Sequence, residues 1–470
     1  MRIIGLDLAI TGPHKAIVMD ETGRYVGPVF KLRTWPTELA GLLEQARQAT
    51  GPDEPVVVIM EPTGHAWLPV ASYLGRQAGV TVYLVNTQQV ADLRRYYQKH
   101  AKSDRIDSRV LTKIWLVSPE KLHRLALPPG AMLSLKQACK HLDYLTGQVT
   151  ALQNQVTALD RTIWLGGWAG LVFKQAFSPT ARWARTHYYD PSLVLQTGAQ
   201  AIEQHWHQTG LAQTEPSQWP TFLVNLAQQV IAIYGDPAPY VDFAAWQAEV
   251  GLKLEALAFL EAQRDQLRLQ VVRPLYRRLH PSRQLETLRG VGQDSAAVLL
   301  SFVGDPQRFA SQRPFRGWSG LVPRSAQSGQ SESKGLRISQ AGPNLLKKFA
   351  FLDANVARLW DPQLAKIYYD QMVYKGRHHT QAVCAVATHL LDRVLVILKH
   401  QRPYQLRDVD GSPVSQAQAR QIVIERYTVP DEVRQRNNRR TRQARADKRA
   451  EQKLARRQPK QGKSASLVRG

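Results

Sequence analysis

Pro55-Val56-Val57-Val58-Ile59-Met60-Glu61-Pro62-Thr63-Gly64 is an unbroken β-branched run that stops on an acid and a proline. A strand with one face in water alternates apolar and polar residues. A strand that does not alternate is covered on both faces, as in a parallel sheet between layers of helix. The flanking sequence agrees. Arg2 to Ala9 reads as a short apolar strand, and His14 to Asp20 and Tyr25 to Arg33 as two more, joined by the turn signal Glu21-Thr22-Gly23. Thr37 to Thr50 reads as helix. After Gly64 come a helix from about Ala66 to Gln77, a strand from Val80 to Asn86, and helix again from Thr87. Three strands, a helix, then alternating strand and helix predict an open mixed α/β sheet with helices on its faces.

The chain has 470 residues, enough for about three domains. With 62 Lys and Arg against 38 Asp and Glu the formal charge is +24, and the isoelectric point is near 10.1. Hydrophobic residues make up 43%, so sizeable cores form and wholesale disorder is excluded. Two cysteines, Cys139 and Cys384, make neither a disulfide framework nor a four-cysteine zinc site, and a reducing cytoplasmic compartment fits best. Met1-Arg2-Ile3-Ile4-Gly5 enters directly into a strand, without a signal-peptide pattern, and the longest apolar stretch, Ile163 to Phe173, is too short to span a bilayer. These features disfavour a membrane enzyme and a secreted scaffold and favour a polyanionic partner.

From Leu142 the pattern changes. Leu142, Leu145, Val149, Leu152, Val156, Leu159 and Ile163 alternate spacings of three and four, a heptad seam. Ala244 to Leu275 repeats the spacing, with Lys253 and Arg264 interrupting it. Residues 126–282 are therefore expected to form a helical coiled-coil arm around an irregular insertion at 165–240, rich in Trp, His and Pro. The plainer reading is a helical core within one chain. A mainly helical unit is expected over 283–402, opening with Leu288-Arg289-Gly290-Val291-Gly292 before a helix at Ser295 to Val303. This is similar to a helix-hairpin-helix element, whose exposed amides hold phosphate. Residues 403–433 read as a proline-punctuated connection. The last 37 residues, 434–470, carry fourteen Lys or Arg against Asp447 and Glu451, half of the net charge. They are expected to be disordered or partly helical, as a nucleic-acid clamp or a solubilising tail.

An acid in an apolar strand is costly unless it has a partner or a metal. Asp7 lies on the first strand, Glu61 ends the β-branched run, and Asp104 and Asp107 share a helical face in Lys102-Ser103-Asp104-Arg105-Ile106-Asp107. Converged, four hard oxygen donors suit Mg²⁺ or Mn²⁺. Taken singly, each has a plainer role: Asp7 in a turn, Glu61 before a proline, Asp104 and Asp107 as ion-pair partners of Lys102, Arg105 and Arg109. Among histidines, His378, His379 and His389 have no cysteine or acid set around them and read as helix-surface residues. Phe315 and Trp318 read as core aromatics, with base stacking as the alternative.

This ordered set resembles the ribonuclease-H-like (RuvC-like) core of the DEDD transposases of the insertion sequence 110 family. The family pattern is an acid in the first strand, an E-x-T-G step and a K-x-D-x-x-D segment, met here by Asp7, Glu61 to Gly64 and Lys102 to Asp107. The third unit resembles the same family's C-terminal transposase domain through Gly290-Val291-Gly292, Gly320-Leu321-Val322-Pro323, Ser328-Gly329, Gly335-Leu336-Arg337-Ile338-Ser339 and Gly342-Pro343-Asn344-Leu345-Leu346. The resemblance covers about 1–125 and 283–400; the 165–240 stretch matches nothing in it.

The resemblance implies a bridge-RNA-guided serine recombinase. Asp7, Glu61, Asp104 and Asp107 would hold Mg²⁺ or Mn²⁺. Ser328, by motif position, would attack DNA and form a phosphoserine link, with Ser319, Ser325, Ser331 and Ser333 as competing candidates. A structured non-coding guide RNA would pair with donor and target double-stranded DNA, leaving sequence choice mainly to base pairing. Homodimers formed through the arm would assemble to a tetramer holding two duplexes. Lys102, Arg105, Arg324, Lys334, Arg337, Lys347 and Lys348 are the expected phosphate contacts; a solvated basic face is the alternative. Two other functions compete: a Holliday-junction nuclease using the same acids and metal-activated water, and a non-catalytic RNA- or DNA-binding protein.

Overall fold

The computed structural model describes residues 1–48, 50–85, 87–97, 104–122, 124–211, 215–323, 327–328, 331–332, 338–339 and 341–457. The chain divides into two compact units, Met1–Pro128 and Pro129–Gly470.

In the first unit, strands β1 (Arg2–Asp7), β2 (His14–Asp20) and β3 (Tyr25–Leu32) form an antiparallel meander. Helix α1 (Pro36–Arg47) leads to β4 (Val56–Met60), α2 (Trp67–Leu74), β5 (Val80–Leu84), α3 (Thr87–Tyr97) and α4 (Asp104–Val117). β4 pairs parallel with β1 and with β5, giving the order β3-β2-β1-β4-β5. The β-branched run is β4, and all five of its residues are buried. Alternation sends its side chains to two cores. Ile4, Leu6, Val56, Val58 and Met60 pack with Leu39, Leu42, Val70 and Leu74 of α1 and α2. Ile3, Val57 and Ile59 pack with Val90, Val110, Leu111 and Ile114 of α3 and α4.

Gly5 sits on the α4 face and sets how closely that helix approaches. A Cβ there would lie 2.1 Å from the Ser108 carbonyl oxygen and 2.9 Å from Thr112 Cγ2. Backbone cannot give way as a flexible side chain can. Gly5→Ala is therefore expected to cost about 1–3 kcal/mol by overpacking and to displace α4 from β1. A thermal melt reads the first effect, and a melting temperature equal to wild type would refute the close approach.

The second unit is helical apart from a two-stranded hairpin, among the described residues. Helix α5 (Gly130–Ile163) has 34 residues, about 50 Å at 1.5 Å per residue. It is followed by α6 (Pro179–His187), α7 (Pro191–Gln208), α8 (Trp219–Tyr234) and α9 (Phe243–Leu267), then a π turn and α10 (Arg273–Leu279). Next come α11 (Gln293–Val303), α12 (Gln312–Ser319), the hairpin β6 (Gln327–Ser328) and β7 (Ser331–Glu332), α13 (Asn344–Ala357), α14 (Pro362–Tyr369), α15 (His379–His400), α16 (Gln416–Tyr427) and α17 (Asp431–Arg457).

The 165–240 stretch, expected to be irregular, holds three helices. Three of its prolines are helix starts rather than breaks: Pro179 and Pro191 follow the capping residues Ser178 and Asp190, and Pro220 lies in the first turn of α8. The tryptophans fill a core. Trp164, Trp168 and Trp219 are fully buried around Phe173 and Tyr189. The buried pair Arg185–Asp160 (2.7 Å) is braced by the Tyr189 hydroxyl. Val149, Val156 and Ile163 of the heptad seam face this core, and Leu142 enters the other core of the unit. These seam positions are thus covered by their own chain.

That other core surrounds α15, which buries Val383, Val386, Leu390, Leu391 and Val394 among α11, α13 and α14. By length and composition α15 is apolar enough to cross a membrane, yet 61% of its apolar window is buried in the core. The 403–433 connection contains α16, opened by a capping box between Ser415 and Gln418. The basic tail begins as α17, anchored where the buried Asn437 amide donates to the Met372 and Arg377 carbonyls.

Asp353 on α13 is an acid inside this core, 3% exposed. Its Oδ1 accepts from Ser295 Oγ (2.7 Å), and its Oδ2 is buried with no hydrogen-bond partner among the described residues. Burial pushes its carboxyl up to about 7. The folded state therefore favours the protonated form, so the stabilisation is full below about pH 4 and is lost as pH rises through about 7. Moving the ionisation from about 4 to about 7 corresponds to about 4 kcal/mol. Asp353→Asn is expected to flatten this pH dependence and to raise the melting temperature at pH 8; an unaltered profile would show that Asp353 ionises freely.

Candidate active site

The same alternation that divides the sheet places the acids. Asp7 follows Ile3 and Gly5 on the α4 face of β1. Glu61 follows Val57 and Ile59 on the α4 face of β4, one step beyond the Leu6–Met60 pairing. α4 supplies Asp107 on the same side. The three carboxylates line one cavity of about 270 Å³ at the carboxyl ends of the two parallel strands, together with Thr63, Lys15 and Arg94. The Asp104 and Arg105 side chains and all of Lys102 lie outside the described residues.

Lys15 stands opposite Asp7 in the β1–β2 register. Arg94 of α3 grips Asp107, Nε to Oδ1 at 3.1 Å and Nη1 to Oδ2 at 3.3 Å, with both side chains largely covered. Behind Asp7, the Ala9 amide donates to His14 Nδ1 (3.0 Å), which leaves Nε2 protonated toward Thr34 Oγ1 (2.7 Å). Burial lowers the His14 pKa and so keeps this neutral tautomer. His14 thereby fixes the backbone just after Asp7. Lys15, Arg94 and His14 were not singled out from sequence. Lys15 follows from the hairpin register, whereas Arg94 depends on how α3 docks.

Three hard oxygen donors from three elements suit a divalent cation chemically. Among the described residues, however, no three Asp, Glu, His or Cys groups are gathered tightly enough to hold one ion as they stand. The carboxylates share a cavity, with Asp107 held by a guanidinium. The two cysteines are no alternative centre, since burial pushes the Cys139 thiol to about 12 and raises that of Cys384.

Ser328 ends β6 and pairs with Ser331 of β7. The base of this excursion is narrow. Pro323 bridges Ile338, and the Ser339 amide donates to the Val322 carbonyl (2.8 Å). At its root, Gly320 and Gly342 both have positive φ, and a Cβ on either would strike the other strand's backbone, at 1.7 Å from Ala341 O and 2.2 Å from Trp318 O. Ser319 is fully buried, its hydroxyl donating to the Arg316 carbonyl (2.8 Å), so it is packed away from substrate.

Of the expected phosphate contacts, Arg324, Lys334 and Arg337 lie outside the described residues. Lys347 donates to the Ala341 carbonyl (3.1 Å) and braces the loop end. Lys348 pairs with Asp143 of α5 (2.5 Å). Gly290-Val291-Gly292 does precede a helix, but the first turn of α11 already carries Asp294, which is bound by Arg268 and Arg273. Phe315 is a core residue stacked on Trp318. His379, the first residue of α15, is hydrogen-bonded through Nδ1 to the Tyr368 hydroxyl (2.8 Å).

An acid-lined mixed sheet followed by a helical unit is compatible with the ribonuclease-H-like domain and helical C-terminal unit that the resemblance to DEDD transposases implies. Residues 4–163 match the DEDD transposase family of IS110, and residues 282–369 match the family described as Transposase IS116/IS110/IS902. The chain is 24% identical over 361 residues to the insertion element IS110 uncharacterized 43.6 kDa protein of Streptomyces coelicolor, covering 75% of this chain and 84% of that protein. It is 27% identical over 128 residues to the pilin gene-inverting protein of Moraxella bovis, covering 27% of this chain and 40% of that one. It is 30% identical over 122 residues to the transposase for insertion sequence element IS1328 of Yersinia enterocolitica, covering 23% of this chain and 33% of that one. The chain belongs to the IS110 family of transposases.

Proposed function

We propose that this transposase cleaves and exchanges DNA strands for an insertion sequence through a covalent serine–DNA intermediate, guided by a structured non-coding RNA. The observation that carries the reading is the shared cavity of Asp7, Glu61 and Asp107. With Asp104 they would hold Mg²⁺ or Mn²⁺, which when bound supplies Lewis-acid stabilisation of charge on a phosphate. Arg94 keeps Asp107 in place and shields the acids from one another. His14 holds the wall behind Asp7. Thr63 and Lys15 border the same opening, where Lys15 attracts a phosphate.

A serine hydroxyl is a weak nucleophile at neutral pH and needs activation. Ser328 has no His or Asp near it in sequence, so its activation is assigned to the acid cluster, of its own chain or of another subunit. The attack joins Ser328 Oγ to phosphorus and expels one DNA 3′ or 5′ oxygen, which takes up the proton. Religation reverses this on a new strand, and because phosphodiester energy is kept in the phosphoserine no nucleotide cofactor is required. Homodimers assembling to a tetramer would bring donor and target duplexes together, and the guide RNA would select them by pairing. The related Moraxella bovis protein is named for inverting a pilin gene, which is a rearrangement of DNA.

The test is metal-dependent cleavage of a donor duplex by the full chain with RNA transcribed from the DNA flanking its gene. A serine-linked adduct found by mass spectrometry supports the reading. Cleavage that leaves free ends and no adduct favours the junction nuclease with metal-activated water. Binding without cleavage favours the non-catalytic protein.

A further inference from the structure

The second unit carries a basic surface that the proposed chemistry does not use. Between α12 and the end of α15 lies a cavity of about 470 Å³, bordered by Ser311, Arg313, Arg316, Lys399 and His400, with no carboxylate in its lining. Arg316 is neutralised, because its Nε donates to both oxygens of Asp392 (2.8 and 3.0 Å). Lys399 Nζ donates to the Phe309 carbonyl, which orients the ammonium and leaves its charge uncompensated. Arg313 is exposed, and among the described residues neither it nor His400 makes a hydrogen bond or ion pair.

Phe309 joins this cavity to a second cationic group. The Arg308 guanidinium lies 4.4 Å from the Phe309 ring and 4.6 Å from the Trp318 ring of α12. Lys136 of α5 lies 5.0 Å over Phe302. Burial, then the charges of Lys140 and Arg308, lower the Lys136 pKa. Lys140 and Arg308 both lie in the field of Lys136, and Asp305 beside Arg308 offsets part of the charge there. Stacking a guanidinium on aromatic faces fixes its position and leaves its edge donors available for oxygen. Holding like charges together costs stability, and a row of phosphates removes that cost by supplying the countercharge.

We propose that this surface, from the α12–α15 cavity across Arg308 to Lys136 and Lys140, seats consecutive phosphates of a nucleic-acid backbone. The inference rests on the reading of the chain as a nucleic-acid enzyme, but on none of its catalytic residues. The shared chemistry is the phosphodiester, from duplex DNA or from RNA.

The test measures the salt dependence of binding by the full chain to a 30-bp DNA duplex and, separately, to a 30-nucleotide single-stranded RNA. Each lost contact is expected to lower the log–log slope by about 0.9 on duplex and about 0.7 on single strand. The triple variant Lys136→Gln, Lys140→Gln, Arg313→Gln should therefore lower it by about two to three units on whichever strand the surface seats. A change confined to one probe names that strand, and a change on both assigns the surface to phosphate in either. Unchanged slopes on both probes overturn the proposal. If the triple variant does not fold, as judged by its melting curve, Arg313→Gln alone decides, since that side chain is exposed and unengaged. Asp7→Asn, which tests the catalytic reading, should leave both slopes as they are, so the two readings fail separately.

Discussion

Ser328→Ala is expected to abolish the covalent protein–DNA adduct and to lower strand exchange by about 10⁴-fold or more, as for loss of a nucleophile elsewhere. Motif position is what selects Ser328 among the serines of this segment. Ser328 is the last residue of β6, paired with Ser331 of β7. The excursion is closed at its root by Gly320 and Gly342, by the Pro323–Ile338 bridge and by the Ser339–Val322 hydrogen bond. The Ser325 to Ser331 segment is flexible in composition, which suits a nucleophile that must be carried to a phosphate. The buried Ser319 sits at the root of the excursion, its hydroxyl committed to Arg316. Ser331→Ala is the control, expected to keep the adduct. Mass spectrometry of a stalled reaction reads both variants. An adduct that persists in Ser328→Ala on Ser331 would move the role across the hairpin, and exchange with no adduct in wild type would remove it.

The β-branched run foretold a covered strand because alternation, or its lack, is a direct record of burial. The same period put Asp7 and Glu61 on one face once β1 and β4 were parallel neighbours. Sequence alone did not show that pairing; it came from the order β3-β2-β1-β4-β5. Arg94 escaped notice because its grip on Asp107 depends on two helices docking side by side, and no local spacing encodes this. Gly5 was visible only as part of the opening strand, whereas its role is the close approach of Ser108 and Thr112 of α4, far along the chain. The Trp-rich insertion was misread for a different reason. Its richness in Trp, His and Pro pointed to irregular chain, but proline at a helix start, as at Pro179, Pro191 and Pro220, loses no hydrogen bond. The heptad spacing was legible, but a repeat of three and four does not say which chain covers it; Val149, Val156 and Ile163 are covered here by α6 to α9.

Asp7→Asn and Glu61→Gln are each expected to lower metal-dependent strand cleavage by about 10³-fold, since loss of several kcal/mol of charge stabilisation at a phosphate is roughly three factors of ten. The competing account is structural, with Lys15 and Arg94 as the reason for the acids. The two accounts differ in what melting curves do. If the carboxylates serve only as ion-pair partners, neutralising one strips a cation of its countercharge, and stability falls whether or not Mg²⁺ is present. If they bind metal, the wild-type melting temperature rises with Mg²⁺ or Mn²⁺, by about 2.7 kcal/mol of added stability at a hundredfold excess over the dissociation constant. That rise disappears in Asp7→Asn and Glu61→Gln, while their metal-free stability stays near wild type. Arg94→Gln separates the accounts further. It frees Asp107 from its guanidinium, so it is expected to lower metal-free stability and yet sharpen the response to metal. A metal-induced shift equal in wild type and Asp7→Asn would place the ion elsewhere and leave the cavity of Asp7, Glu61 and Asp107 as an ion-pair network.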